Sequence, residues 1–143
     1  MNGVNNLVIA LMTGALVTLG AGAHEETPHE IFLARALSDA EAINGQRNNY
    51  VGFLDYSGGE FNIYTSKEAL KIGNVYESAH LSLNITSSRI WENISRCDKS
   101  LVSVHGKIQI VLPKDDKSIK YPVAQIVEIS RISKLEPPTS CIE

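Results

Sequence analysis

The sequence predicts a mainly β (α+β) domain, and two observations carry this prediction. From residue 47 onward, hydrophobic and polar residues alternate in five segments, which is the period of half-buried strands. A segment with helical spacing falls between the third and fourth of these segments. That order is typical of a small five-stranded antiparallel OB-like barrel, here preceded by an N-terminal helix. Barrel closure would also remove exposed sheet edges. A small open β-sandwich is the alternative.

The first 23 residues are typical of a signal peptide. Leu7–Leu19 is an apolar core of the length that a signal peptide needs, and Ala21–Ala23 offers the small residues that signal peptidase accepts. Cleavage after Ala23 would make His24 the mature N-terminus. No Lys or Arg precedes this point, and Val4–Ala23 approaches the roughly 20 apolar residues of a membrane span, so an uncleaved anchor is the alternative. We expect export, with a periplasmic or secreted location and no stable membrane insertion after cleavage.

Charge and length restrict the function classes. The chain has 143 residues and a formal net charge of −3, so no overall positive field favours nucleic acid. We therefore expect no nucleic-acid partner. We divide the chain into a signal peptide (1–23), an N-terminal segment with a helix (24–46), an OB-like β-domain (47–133) and a C-terminal tail (134–143).

The N-terminal helix is predicted over Pro28–Ile43. Thr27 is a suitable N-cap, and Glu30 stands three residues later, at the capping-box position. Apolar residues then follow at helical spacing until Asn44-Gly45 supplies a stop.

The first three strands are predicted over Tyr50–Asp55, Glu60–Thr65 and Ala79–Ile85. A turn at Ser57-Gly58-Gly59 joins the first two as a hairpin. A short capped helix, Ser66–Gly73, separates the second from the third.

The second half begins with a short helix over Ser87–Ser95. The longest strand follows at Leu101–Leu112, where Gly106 interrupts the run and predicts a bulge or a barrel corner. A charged loop, Pro113–Ser118, leads to the last strand at Lys120–Ile132.

Several of these segments resemble those of small uncharacterised bacterial exported proteins. The similar stretches are Tyr50–Leu54, Ile63–Ala69, Leu101–Gly106 and Ile126–Ile132. The resemblance implies an OB-like barrel and implies no active site.

The two cysteines, Cys97 and Cys141, both follow the predicted signal peptide. In an oxidising compartment we expect one disulfide that ties the C-terminal tail to the domain. Two separate thiols are the alternative, and a metal pair is less favoured because no His or other Cys stands close to either in sequence.

Two histidines indicate a possible metal site. A mature N-terminal His24 would chelate copper through its amine and imidazole, and a second ligand would come from His29, Glu25, Glu26 or Glu30. The simpler interpretation is a solvated leader to the first helix.

No pattern predicts catalysis. Ser57-Gly58-Gly59 lacks the strand-to-helix elbow of a hydrolase serine, and Cys97 has no nearby base. The carboxylates show no spacing that singles out an acid–base pair. We expect no enzyme activity and no cofactor.

The remaining interpretation is binding. Tyr56, Tyr64 and Tyr121 are expected on the outer face of the barrel, where aromatic rings stack on ligands, whereas Phe53 and Phe61 are expected in the core. The alternative role for the tyrosines is cross-strand packing. The sequence therefore predicts an exported, non-enzymatic binding module for a protein, peptide or glycan, with copper binding through His24 as the alternative function.

Overall fold

The computed structural model describes residues 28–84, 88–111 and 123–142. The strands and helices in these ranges run in the order β1 (Glu30–Phe32), α1 (Leu33–Ser38), α2 (Ala40–Ile43), β2 (Arg47–Ser57), β3 (Glu60–Tyr64), α3 (Lys67–Ile72), β4 (Ser78–Leu81), α4 (Ser88–Ser95), β5 (Leu101–Val111), β6 (Val123–Leu135) and β7 (Pro138–Ile142). A 3-10 turn at Val75–Glu77 leads into β4.

Five of these strands close into a barrel. β2 pairs with β3 along one half of its length and with β5 along the other half, and the ring runs β2-β3-β4-β6-β5. All neighbours are antiparallel except β4 and β6, which are parallel. The helix α4 connects the third barrel strand to the fourth. The predicted OB-like barrel is confirmed.

Local sequence accounts for the first connections. Gly58 and Gly59 both have positive φ, at 64° and 86°, the conformation that a two-residue hairpin turn requires. Ser66 caps α3, since its side-chain oxygen accepts a hydrogen bond from the amide of Ala69 at 3.0 Å. Gly73 ends that helix in the left-handed conformation.

The core fills the barrel with side chains from every barrel strand and from the helices. Tyr50 is its largest fully buried side chain, and its hydroxyl donates to the carbonyl of Gln46 at 2.8 Å. The larger aliphatic members that are fully buried are Leu33, Leu54, Ile63, Leu81, Ile94, Val102, Val104, Ile108, Ile126 and Ile132. Phe61 belongs to this core as predicted, whereas Phe53 is only half-buried.

Two glycines stand where strands pass too closely for a side chain. A Cβ at Gly52 would lie 2.8 Å from the carbonyl oxygen of Tyr64. A Cβ at Gly106 would lie 2.7 Å from Cγ2 of Ile126. The register of β5 against β6 shifts at Gly106, so the predicted bulge is confirmed.

The predicted start of the N-terminal helix is wrong. Glu30, expected in a capping box, lies in β1, which pairs in parallel with β2. The backbone amide of Asn49 donates to the carbonyl of His29 at 3.1 Å, so pairing with β2 takes up backbone groups that a helix would use. The helical part is shorter and is divided at Asp39 into α1 and α2. Thr27, the expected cap, lies outside the described residues.

Residues 134–143, assigned to a tail from sequence, contain strand structure. β6 runs to Leu135, and β7 pairs back on it. Cys141 in β7 forms a disulfide with Cys97, just after α4, as predicted, and both residues are 1% exposed.

No helix in the described ranges is long and apolar enough to cross a membrane, and the predicted signal peptide lies outside them.

Replacing both cysteines with alanine is expected to lower the free energy of unfolding by about 4 kcal/mol. The bond closes a loop with a sequence separation of 44, and restricting that loop in the unfolded chain supplies a stabilisation of this size on the chain-entropy model. Urea denaturation with and without dithiothreitol measures it. Reductant should shift the midpoint of the native protein and leave the double variant unchanged; an unshifted native midpoint would contradict the prediction.

The substitution Gly106→Ala is expected to lower the free energy of unfolding by about 1–3 kcal/mol, because its methyl group would overlap Ile126 and the carbonyl of Val127. Gln109→Ala, on an exposed position of the same strand, is the control and should change stability by about 0.5 kcal/mol or less. Equal denaturation midpoints for the two variants would show that β5 and β6 separate at the bulge without cost.

Candidate functional site

A line of polar side chains crosses the outer face of the barrel. Asn62 lies directly opposite His80, His80 opposite Gln125, and Gln125 opposite Gln109. These four residues, which we call the polar row, belong to the adjacent strands β3, β4, β6 and β5. Because residues in register on one face are direct neighbours, the row forms one continuous polar strip.

The alternation of each strand explains why the row faces outward. The neighbours on either side of each row residue are buried in the core: Phe61 and Ile63, Ala79 and Leu81, Ala124 and Ile126, and Ile108 and Ile110. Since successive side chains point to opposite faces, the polar residues between them are directed away from the core. Asn62, His80 and Gln125 are half-buried, and Gln109 is exposed.

A shallow cleft of about 290 Å³ lies on this part of the barrel. Its lining combines polar and apolar side chains: Glu60, Asn62, Val75, Ser78, His80, Val123 and Ala124. Val75 and Val123 are large hydrophobic side chains with 66% and 56% exposure, and Val111 lies opposite Val123 on β5. The cleft therefore offers hydrogen-bonding groups between exposed apolar side chains.

Asp55 extends the row by one strand, since it lies opposite Asn62 on β2. This carboxylate is 5% exposed and forms a salt bridge with Lys99, while the hydroxyl of Ser57 donates to it at 2.8 Å. Its charge is therefore compensated within the protein, and the four exposed or half-buried members of the row are amides and an imidazole.

A second polar cluster lies elsewhere on the barrel, where β1, β2 and β5 meet. Nδ1 of His105 lies 2.9 Å from Oδ1 of Asn49, and the side-chain Nδ2 of Asn49 donates to the carbonyl of Pro28 at 3.3 Å. Burial lowers the pKa of His105, and the positive charges of Arg131 and Arg47 lower it further. This cluster attaches the N-terminal strand to the barrel.

The structure separates the three tyrosines predicted as a binding surface. Tyr64 is 5% exposed, so its expected exposure is wrong. Tyr56 is 38% exposed but stacks on Phe61 with ring centroids 4.6 Å apart and contacts Trp91 at 5.4 Å. Tyr121 lies outside the described residues. The aromatic cluster of Tyr56 is mainly a packing feature at the end of β2.

The predicted copper site is only partly within the described residues. His24 lies outside them, and His29 is exposed just before β1. Within residues 28–84, 88–111 and 123–142, no group of three or more His, Cys, Asp or Glu residues is placed to hold a metal ion. Copper binding through His24 stays a prediction.

The fold and this face together define a class of protein, an OB-like barrel with a polar cleft on its second and third barrel strands. That is the face through which OB barrels bind oligosaccharides and oligonucleotides. Comparisons with protein-family models, with curated proteins and with solved structures found no match to this chain. The resemblance to small exported bacterial proteins therefore stays a prediction.

Stability is expected to fall as the pH is lowered below about 6.5, the pKa of an unfolded histidine, because the unfolded chain then binds a proton that folded His105 resists. The substitution His105→Gln should reduce this loss, and His29→Gln, at an exposed position, should not. Urea denaturation of the three proteins at pH 7.5 and pH 5.5 tests this. Equal pH dependence in all three would contradict the assignment to His105.

Proposed function

We propose that this protein is an exported, non-enzymatic binding protein whose polar row and cleft hold a neutral oligosaccharide. The observation that carries the proposal is the register of Asn62, His80, Gln125 and Gln109, which forms one polar strip across four strands. OB barrels that bind oligosaccharides use this face.

The chemistry of the row suits sugar hydroxyls. A side-chain amide presents both a donor and an acceptor, and a neutral imidazole does the same through its two nitrogens. Asn62, Gln125 and Gln109 therefore can each bond to two neighbouring hydroxyl groups. The three amides of the row carry no formal charge, and Glu60, the one carboxylate of the cleft lining, disfavours an anion. The site therefore favours a neutral ligand.

The spacing of the row favours a saccharide over an extended peptide. Neighbouring strands in a sheet lie about 4.7–4.9 Å apart, so consecutive row residues are separated by nearly the length of one pyranose unit in an extended chain. Peptide units repeat at about 3.3–3.6 Å and would lose alignment with the row after two or three residues.

The apolar sides of the cleft complete the fit. Sugar rings have C–H faces as well as hydroxyl edges, and Val75 and Val123 are exposed beside the polar side chains of Asn62 and His80. A site with apolar walls and a few convergent polar groups is the usual composition of a ligand pocket.

Export supports the same proposal. The apolar leader and the Cys97–Cys141 disulfide both suit an oxidising compartment outside the cytoplasm. In the periplasm or outside the cell, a protein of this kind has direct access to polysaccharides, and a periplasmic or secreted location is part of the proposal.

The substitutions Asn62→Ala, His80→Ala and Gln125→Ala are each expected to weaken binding of a neutral oligosaccharide by about fivefold to tenfold, since each removes hydrogen bonds worth about 1 kcal/mol. Calorimetric titration against a panel of linear neutral tetrasaccharides identifies the ligand and measures the loss.

The matched control is Gln46→Ala, which removes an exposed amide outside the row and should leave the affinity unchanged. Binding that survives in the triple row variant, or a panel with no binder to the native protein, would refute the proposed function. Thermal denaturation of each variant separates loss of binding from loss of fold.

A further inference from the structure

A second pocket, of about 330 Å³, lies where the middle of β2, the start of α3, the start of β5 and the end of β6 approach one another. We call it the lysine pocket, and its lining residues are Phe53, Lys67, Lys99, Ser100, Leu101, Lys134 and Glu136. Three ammonium groups around one concavity contrast with a chain whose formal net charge is −3.

The three lysines differ in what they bind within the protein. Lys99 forms a salt bridge with Asp55, so its positive charge is largely compensated by that carboxylate. Lys67 and Lys134 form no salt bridge with any residue of the described ranges. Glu136 is the one carboxylate in the lining, and it opposes the attraction of an anion. Two uncompensated ammonium groups remain to bind an anionic ligand.

The pocket also has an apolar floor. The ring of Phe53 is half-buried, and Nζ of Lys67 lies 5.8 Å from its centroid, within the range of a cation–π contact. Leu101 lies directly opposite Phe53 on β5. A ligand that fits both features carries its negative charge on a ring or another apolar body.

The backbone holds one wall of the pocket rigidly against β2. Lys99 adopts the left-handed conformation, with φ 58°, and its amide donates to the carbonyl of Leu54 at 2.8 Å. The amide of Leu54 in turn donates to the carbonyl of Ser100 at 2.9 Å. A non-glycine residue is rarely found with such a φ, and these reciprocal bonds keep it there. The wall is therefore formed before any ligand arrives.

We propose that the lysine pocket binds the carboxylate of an acidic sugar, a hexuronate, with the ring of the sugar on Phe53 and Leu101 and the carboxylate between Lys67 and Lys134. This site goes beyond the proposed function, because it does not use the polar row. Asp55 connects the two surfaces, since it lies opposite Asn62 and is paired with Lys99.

The test is a titration of the full-length, isotopically labelled protein with D-glucuronate, followed through the amide resonances of Phe53, Ser100 and Leu101. D-glucose and sodium sulfate are the comparison ligands. Glucuronate should shift these resonances, whereas glucose should not, and sulfate should shift them less at equal concentration. Raising the ionic strength should weaken the glucuronate response.

Substitutions in the pocket lining are expected to change the affinity for glucuronate in opposite directions. Lys67→Ala and Lys134→Ala should each weaken glucuronate binding about two- to fivefold, as expected for single exposed charge pairs. Glu136→Gln should strengthen it by a similar factor, because it removes the opposing carboxylate. Lys71→Ala, an exposed position on the same helix as Lys67 and outside the pocket lining, should have no effect.

Three results would overturn the proposal: unchanged binding in the Lys67→Ala/Lys134→Ala double variant, equal shifts with glucose, or shifts with sulfate as large as those with glucuronate. Unchanged resonances in the rest of the spectrum show that a variant is folded. The polar row is tested separately, because neutral tetrasaccharide binding should persist in the double lysine variant.

Discussion

Closure of the barrel through β2 is the constraint on which the rest of the structure depends. This strand bonds to β5 through Arg47–Phe53 and to β3 through Phe53–Ser57, so it must change partners near its middle. The change occurs beside Gly52, where the carbonyl of Tyr64 comes too close for any side chain. Closure in turn encloses the core around Tyr50 and brings β4 beside β6, and only then do residues from four strands align on the outer face.

The polar row is built on strands, whereas the lysine pocket combines strand residues with Lys67 of α3 and with the turns before β5 and after β6. The polar row follows from ladder register, so the positions of Asn62, His80 and Gln125 are fixed by backbone hydrogen bonds and by the core beneath them. The lysine pocket uses Phe53 near the middle of β2, the start of β5, the end of β6 and one turn that is bonded to Leu54. Sites supported in this way are held more accurately than sites on loops, and this lowers the ordering cost of binding.

Sequence patterns predicted the barrel, the Gly58-Gly59 hairpin, the Gly106 bulge and the disulfide, because each depends on alternation, on glycine conformation or on cysteine chemistry that is visible locally. They missed β1, since its pairing with β2 is non-local and the same residues also have helical spacing. Alternation indicates which residues of a strand face outward but gives no register between strands, so the row of Asn62, His80, Gln125 and Gln109 was not predicted. Tyr64 was misplaced because alternation does not show which outward positions of a strand other elements cover: Tyr64 shares the face of the half-buried Asn62 but is 5% exposed.

The parallel pairing of β4 with β6 also affects how the chain reaches its native state. Ala79 pairs with Ala124, so the chain between them must close into a long loop. The entropy cost of closing this loop precedes the free energy gained from the pairing. Hairpins such as β2–β3 form from neighbouring residues, whereas this pairing belongs to the slow, non-local part of folding. The cleft consists of β3, β4 and β6 together, so it does not exist in a partly closed barrel. On the proposed function, ligand binding would therefore require the completed fold, and a ligand bound across β3, β4 and β6 would stabilise the pairing of β4 with β6.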